Sequence, residues 1–163
     1  MSLRANVEKK VLLFKNFKSL KFIQDISKFY KIGKVLGKGS FGEVCSCTHQ
    51  YSGKEYAIKT VQKSKINEHK VLLDLMAQEL DVLAATDHPH ITRIHELIED
   101  DGNFYIVSEL VTGGELYNKI IEKKKFSEKE AALCINQIAL ALNYMHKQNI
   151  IHRDIKPENI LIE

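Results

Sequence analysis

Ile151-His152-Arg153-Asp154-Ile155-Lys156-Pro157-Glu158-Asn159-Ile160-Leu161 is the most specific stretch of this chain, with apolar residues at its ends and a charged centre. Upstream, Leu36-Gly37-Lys38-Gly39-Ser40-Phe41-Gly42-Glu43-Val44 contains G-x-G-x-x-G, and Tyr56-Ala57-Ile58-Lys59 sets a lysine in an apolar run. Glu79 stands 20 residues beyond Lys59, in a segment with helical spacing.

The glycine stretch alone is a weak signal. A dinucleotide-binding turn needs a helix after it, whereas Glu43 to Thr48 reads as a strand running into another turn. A hairpin lid over phosphates fits better, because glycines let backbone N–H groups approach phosphate oxygens without a Cβ clash. An ordinary glycine-rich hairpin is the competing reading. Lys59 is read either as an edge residue turned to solvent or as an ammonium that grips nucleotide phosphates. Glu79 is either one carboxylate on a solvated helix face or the partner that holds Lys59. The three signals gain weight only together.

The chain of 163 residues is long enough for one ordinary domain, and 44% apolar with 28% charged side chains excludes disordered, collagen-like and disulfide-framed classes. No apolar run approaches the roughly 20 residues of a membrane span, so no transmembrane segment is expected. The start lacks a signal-peptide core. With three cysteines, an odd number, a reducing, cytoplasmic setting is expected. The net charge of +3 hides an imbalance: residues 1–31 carry a net +6, and the remainder −3. An acidic body argues against nucleic-acid binding and leaves the basic head as a surface for an acidic partner.

Residues 6–29 alternate lysines with apolar residues at near-helical spacing, which predicts one amphipathic helix or two short ones. Strands are expected at Tyr30–Gly37, Glu43–Thr48, Glu55–Gln62, Ile91–Glu99 and Asn103–Glu109, and helices at Val71–Ala85, Glu115–Glu122 and Ser127–His146. Ser127 with Glu130 reads as a capping box, and Lys123-Lys124-Lys125 as a solvated helix end. His88 and His90 read as turn residues, and His152 as a structural hydrogen-bonder. The Cys45-Ser46-Cys47 pair is expected as two buried or half-buried thiols on opposite strand faces, with no shared metal.

His152 to Asn159 resembles the H-R-D-L-x-x-x-N catalytic loop of the eukaryotic protein kinases, with Ile155 for Leu. The glycine loop, Lys59, Glu79 and Asp154 stand in that family's order. Lys156 resembles the serine/threonine branch. Glu109 to Leu116 together with the catalytic stretch is most similar to the calcium/calmodulin-regulated group, and within it to the calcium-dependent protein kinases. The resemblance implies an α+β fold: a five-stranded antiparallel small lobe with one regulatory helix, and the first part of a helical lobe. Residues 1–29 are then a basic amphipathic extension. Residues 30–163 are an incomplete kinase domain, with 30–111 as small lobe, 112–114 as hinge and 115–163 as the start of the large lobe.

The same resemblance implies ATP and Mg²⁺ as cofactors and assigns roles. Asp154 accepts the proton of the substrate hydroxyl, Lys156 neutralises the transferring phosphoryl, and Asn159 ligates the metal. Lys59 grips the α- and β-phosphates, held by Glu79. Gly37, Lys38, Gly39, Ser40, Phe41, Gly42 and Glu43 cover the phosphates. Leu36, Val44 and Ala57 line the adenine site above and Leu161 below. Glu109 and Val111 read the adenine edge through their backbone, and Glu115 reaches the ribose. Ser108 is smaller than the family's usual residue and implies an enlarged rear pocket. Arg153 implies control by activation-loop phosphorylation. Glu115 and Glu158 imply protein substrates with basic residues N-terminal to the target Ser or Thr.

The sequence contains no D-F-G, whose Asp is the family's principal metal ligand. The chain therefore reads as a truncated kinase domain, inactive by itself, and an exposed apolar face is expected on the last helix at Leu133, Ile138, Leu142 and Met145. No EF-hand loop occurs either, so calcium sensing would come from a further domain or a separate sensor protein. The basic head, without Gly at position 2 for myristoylation, suits the kinase lobe, a membrane surface or an acidic calcium sensor. A contrasting function is a non-catalytic regulatory fragment that binds nucleotide or a partner.

Overall fold

The segments between Tyr30 and Glu109 include short apolar runs bounded by turn residues, such as Tyr56-Ala57-Ile58 and Phe104-Tyr105-Ile106-Val107, the pattern of strands buried on both faces. The computed structural model describes residues 20–39, 42–67, 80 and 86–163. Among these, six strands form one sheet: β1 (Leu20–Phe22), β2 (Tyr30–Gly39), β3 (Gly42–His49), β4 (Glu55–Gln62), β5 (Ile94–Glu99) and β6 (Asn103–Glu109). Their order is β1-β5-β6-β4-β3-β2. The β2–β6 portion is antiparallel throughout, as expected. The count of five is corrected to six, because β1 pairs parallel with β5 through Leu20↔Leu97, Lys21↔Ile98 and Phe22↔Glu99.

That strand also corrects the helical reading of the head over its described part. Residues 20–22 are extended, and a 3₁₀ turn follows at Ile26–Lys28, capped by Asp25, whose carboxylate accepts the Ser27 N–H at 2.9 Å. The reason is non-local: the open edge of β5 offers unpaired backbone groups, and β1 satisfies them, with the Ile23 N–H reaching the Glu99 carbonyl at 2.8 Å. Apolar spacing carries no information about such an edge. Residues 1–19 lie outside the described residues.

One sheet face buries Tyr30, Cys45, Cys47, Ile58, Ile98, Tyr105 and Val107, with Ile23, Ile26 and Tyr56 packed against them. Each buried Ile or Val there contributes about 1.5–3 kcal/mol. Cys45 and Cys47 share this face, since residues two apart on a strand point the same way. The opposite-face reading of that pair is thereby corrected, and burial pushes the Cys47 thiol up to about 11. The other face buries Ala57, Val61, Leu97, Phe104 and Ile106.

The β5–β6 turn is built on Asp100. Its Oδ1 accepts the N–H groups of Gly102 (2.8 Å) and Asn103 (2.6 Å), and its Oδ2 accepts the Tyr105 hydroxyl at 2.6 Å. Burial alone would raise this carboxyl, yet these bonds hold it below its ordinary value. Beside it, a short helix α1 (Lys63–Asn67) presents Lys63, whose ammonium sits 2.7 Å from the buried Glu99 carboxylate. The predicted helix at Val71–Ala85 lies outside the described residues except for Leu80, which is helical and buried.

The chain divides into two compact units. The first carries all six strands. The second holds residues 86–92 with 111–163, including α2 (Leu116–Lys123) and α3 (Glu128–Lys147). Ser127 caps α3 in a full capping box, its hydroxyl accepting the Glu130 N–H while the Glu130 carboxylate accepts the Ser127 N–H at 3.0 Å. The helix ends in a Schellman arrangement: Asn149 adopts φ 58°, and the Ile150 N–H reaches the Met145 carbonyl at 2.9 Å. Of the four residues expected on an exposed face, Leu133 is exposed, Ile138 and Leu142 are half-buried, and Met145 is buried with Ala141. The face is corrected accordingly: the inner stripe runs through 134, 138, 141 and 145, at helical spacing. His88 and His90 lie in a turn closed by the Ile91 N–H on the His88 carbonyl at 3.0 Å.

Candidate active site

The second unit gathers a carboxylate, an ammonium and an amide. Pro157 starts a 3₁₀ turn at Pro157–Asn159, with Lys156 as its N-cap. Proline's fixed φ suits that position, where its missing N–H is not needed. The turn folds Asn159 back onto Asp154: Asn159 Nδ2 donates to Asp154 Oδ2 at 2.8 Å and to the Asp154 carbonyl at 2.9 Å. Lys156 Nζ reaches the same Oδ2 at 3.0 Å. Neither contact uses Oδ1. Hydrogen bonds from Lys156 first and Asn159 second hold the Asp154 carboxyl below its ordinary value. The Asp154 N–H donates to His152 Nδ1 at 3.2 Å, the structural role expected of that histidine. Arg153 adopts φ 66°, a left-handed conformation that costs a non-glycine residue about 1 kcal/mol or more. The sequence carries no signal of that strain.

The following residues are fastened to the start of α2. Glu115 and Leu161 form an antiparallel bridge, flanked by the Leu116 N–H on the Ile160 carbonyl and the Ile162 N–H on the Gly114 carbonyl, both at 2.8 Å. A Cβ on Gly113 would lie 2.2 Å from the Ile162 carbonyl oxygen, so the two chains meet only because residue 113 is glycine. The bridge brings Glu115 and Leu161 together with the Asp154 segment.

The first unit presents a second group. Val44 pairs with Lys59, and Ala57 with Ser108. Register therefore puts Val44, Ala57, Lys59 and Ser108 on one face of the sheet. Lys59 lies on β4, an interior strand between β3 and β6, and is half-buried. It is not an edge residue turned to solvent. Leu36, Gly37, Lys38 and Gly39 end β2; Gly42 and Glu43 begin β3. Lys38 Nζ and Glu43 Oε1 are 3.3 Å apart across the hairpin. A Cβ on Gly42 would lie 1.9 Å from the Thr60 carbonyl oxygen, while one on Gly37 would meet nothing within 4 Å. The two glycines thus differ: one admits the neighbouring strand, the other leaves its backbone open. Glu109 ends β6, and its carboxylate accepts the Arg93 N–H at 2.9 Å; Val111, two residues on, begins the second unit. Ser40, Phe41 and Glu79 lie outside the described residues.

The family described as the protein kinase domain matches residues 30–163. The chain is 46% identical over 134 residues to calcium-dependent protein kinase 4 of Plasmodium falciparum (isolate 3D7), a match covering 82% of this chain and 25% of that protein. Over 159 residues it is 38% identical to calcium-dependent protein kinase 5 of the same organism, covering 97% of this chain and 26% of that protein. It is 39% identical over 139 residues to the mouse serine/threonine-protein kinase DCLK3, covering 85% and 17%. The chain thus spans about a quarter or less of the length of these curated relatives.

Proposed function

The chain belongs to the protein kinase family, and from that premise we propose that it supplies the nucleotide-gripping and hydroxyl-orienting groups of an ATP-dependent protein serine/threonine kinase. The observation that carries the reading is the convergence of Lys156 and Asn159 on one oxygen of Asp154. With both donors on Oδ2, Oδ1 is left to accept a substrate hydroxyl. A carboxyl held low is a weak base at rest. Its work is therefore to orient the hydroxyl and take its proton late, which suits a phosphoryl transfer governed by positioning and charge.

The residues present fit a magnesium–nucleotide complex in part. The amide nitrogen of Asn159 is spent on Asp154, which leaves its carbonyl oxygen as a hard donor for the cation. Bound Mg²⁺ would neutralise phosphate charge. Lys59 supplies an ammonium to the α- and β-phosphates, and Lys156 turns from Asp154 to the phosphoryl oxygens as charge develops there. Gly37 offers an unobstructed backbone for phosphate approach. Glu79, outside the described residues, is the proposed partner of Lys59. By the resemblance, Leu36, Val44, Ala57 and Glu109 of the first unit are assigned to adenine, and Val111, Glu115 and Leu161 of the second unit are assigned to adenine and ribose.

Substrates are proposed to carry basic residues before the target Ser or Thr, attracted by Glu115 and Glu158. The relatives named as calcium-dependent support calcium control exerted through a sensor domain or protein. Among the described residues no helix is long and apolar enough to cross a membrane, and a cytoplasmic location is proposed. The domain limits given above, with residues 30–111 and 115–163 as the two lobes, belong to the same proposal.

A second reading is a non-catalytic nucleotide- or partner-binding regulatory fragment. Titrating the 163-residue chain with a fluorescent ATP analogue and Mg²⁺ tests what the two share. Saturable binding, weakened about tenfold or more by Lys59→Met, is the expected result; binding that ignores the substitution overturns both. Radiolabel transfer by this chain at the level of an Asp154→Ala control is expected, and transfer above it removes the second reading.

A further inference from the structure

The lysines at the end of α2 have so far explained only a solvated corner. They also precede an exposed serine. Lys123-Lys124-Lys125-Phe126-Ser127 places basic residues two, three and four positions before Ser127, and no other Ser or Thr in the sequence has three within that reach. We propose that Ser127 is a phosphorylation site, an acceptor for a serine/threonine kinase that selects basic residues upstream of its target.

The local structure suits this modification. Ser127 is exposed and extended, with φ −66° and ψ 157°, at the end of a non-helical link from Lys124. Lys124, at φ 64°, turns the chain out of α2. An exposed non-helical segment can lie in a substrate groove with its hydroxyl free to approach the nucleotide. The hydroxyl's present partners are on the surface: Oγ lies 3.0 Å from Glu130 Oε2, and the Glu130 N–H donates to it at 3.3 Å. Fraying the first turn of α3 releases both.

The product is also accommodated. In the transfer, the Oγ–P bond forms as the γ-phosphorus parts from the β-phosphate oxygen of ATP. The hydroxyl proton passes to the acting kinase's carboxylate, and ADP leaves. The phosphate then stands at the N-terminus of a twenty-residue helix, where dipole and free N–H groups favour negative charge. Lys123 Nζ, now 2.5 Å from Glu130 Oε1, is at this same corner, with Lys124 and Lys125 exposed beside it. Three lysines, Lys123 to Lys125, stand against two carboxylates in the first turn, Glu128 and Glu130. Phosphorylation thus exchanges a neutral cap for a charged one and draws Lys123 from Glu130.

The inference rests on the proposed basic-context preference only for the class of enzyme it names, and the test separates the two. The folded 163-residue chain is incubated with MgATP and the catalytic domain of a calcium/calmodulin-regulated serine/threonine kinase, alongside an unstructured peptide of residues 121–131. Site occupancy is read by tandem mass spectrometry. Expected are Ser127 as the dominant site, loss of most incorporated phosphate in Ser127→Ala, and about tenfold slower incorporation in Lys124→Glu/Lys125→Glu with an unchanged circular dichroism spectrum. A phosphorylated peptide with an unmodified Ser127 in the chain overturns the site alone. An unmodified peptide and chain overturn the site by showing that the basic run before Ser127 does not make it an acceptor, and leave the preference proposed for this chain's own substrates untouched.

Discussion

Asn159 is tied to Asp154 twice, its side-chain amide donating to both the carboxylate (2.8 Å) and the backbone carbonyl (2.9 Å) of that residue. One amide therefore fixes the carboxylate's rotamer and the turn that carries it. With Lys156 it also holds the carboxyl below its ordinary 3.8. Asn159→Ala and Lys156→Ala should each move the Asp154 titration upward, as followed by carboxyl ¹³C shifts. Because the folded value is depressed, the stabilisation present above 3.8 disappears as pH falls through the lowered value. An Asp154 titration unmoved by either substitution would falsify the coupling.

Gly42 and Gly37 should separate packing from ligand approach. Gly42→Ala forces a Cβ against the Thr60 carbonyl and is expected to cost about 1–3 kcal/mol in urea unfolding. Gly37→Ala meets nothing within 4 Å and should stay within about 0.5 kcal/mol. It should nevertheless weaken the ATP analogue, since a methyl now stands where phosphate oxygens approach. Equal destabilisation by the two substitutions would show that the hairpin packs otherwise.

Ser108 shares its sheet face with Ala57 and Lys59. If the space behind the adenine is enlarged by this small residue, Ser108→Phe should exclude adenine analogues that carry a bulky aromatic substituent. A loss of about 1–3 kcal/mol in their affinity, with ATP itself little changed, is expected, and calorimetric titration of the unsubstituted chain and Ser108→Phe measures it. Unaltered affinity for the bulky analogue would mean that the substituent never enters there.

Glu130 is lowered to about 2, first by the Lys123 hydrogen bond and then by the Ser127 N–H and hydroxyl. A depressed folded value means that the cap's contribution is present above 4.5 and is lost as pH falls toward 2. Thermal unfolding between pH 5 and pH 2 should show a falling acid limb, and Glu130→Gln should flatten part of it. An identical acid limb in the variant would assign the loss to other carboxylates.

Local rules made much of the molecule legible. Strand-like runs bounded by glycine and aspartate turns marked β2, β3, β4 and β6, and the Ser127–Glu130 spacing marked the start of α3, because each is settled by neighbours along the chain. The chemistry of Asp154, Lys156 and Asn159 was legible for a similar reason. All three lie within six residues, and a single proline-started turn brings them together.

What escaped was set by contacts between distant segments. β1 is a strand because β5 has an open edge, not because Leu20-Lys21-Phe22 prefers extension. Met145 is buried because α3 turns the stripe through 134, 138, 141 and 145 inward. Residue order alone determined which groups this kinase-family chain carries and how they are spaced. Only the packed sheet and helices decided that Lys59 lies on an interior strand beside Val44, that Gly113 admits Ile162, and that Lys156 and Asn159 converge on one oxygen of Asp154. Pairing register and close backbone approach depend on partners far along the chain, which no local pattern records.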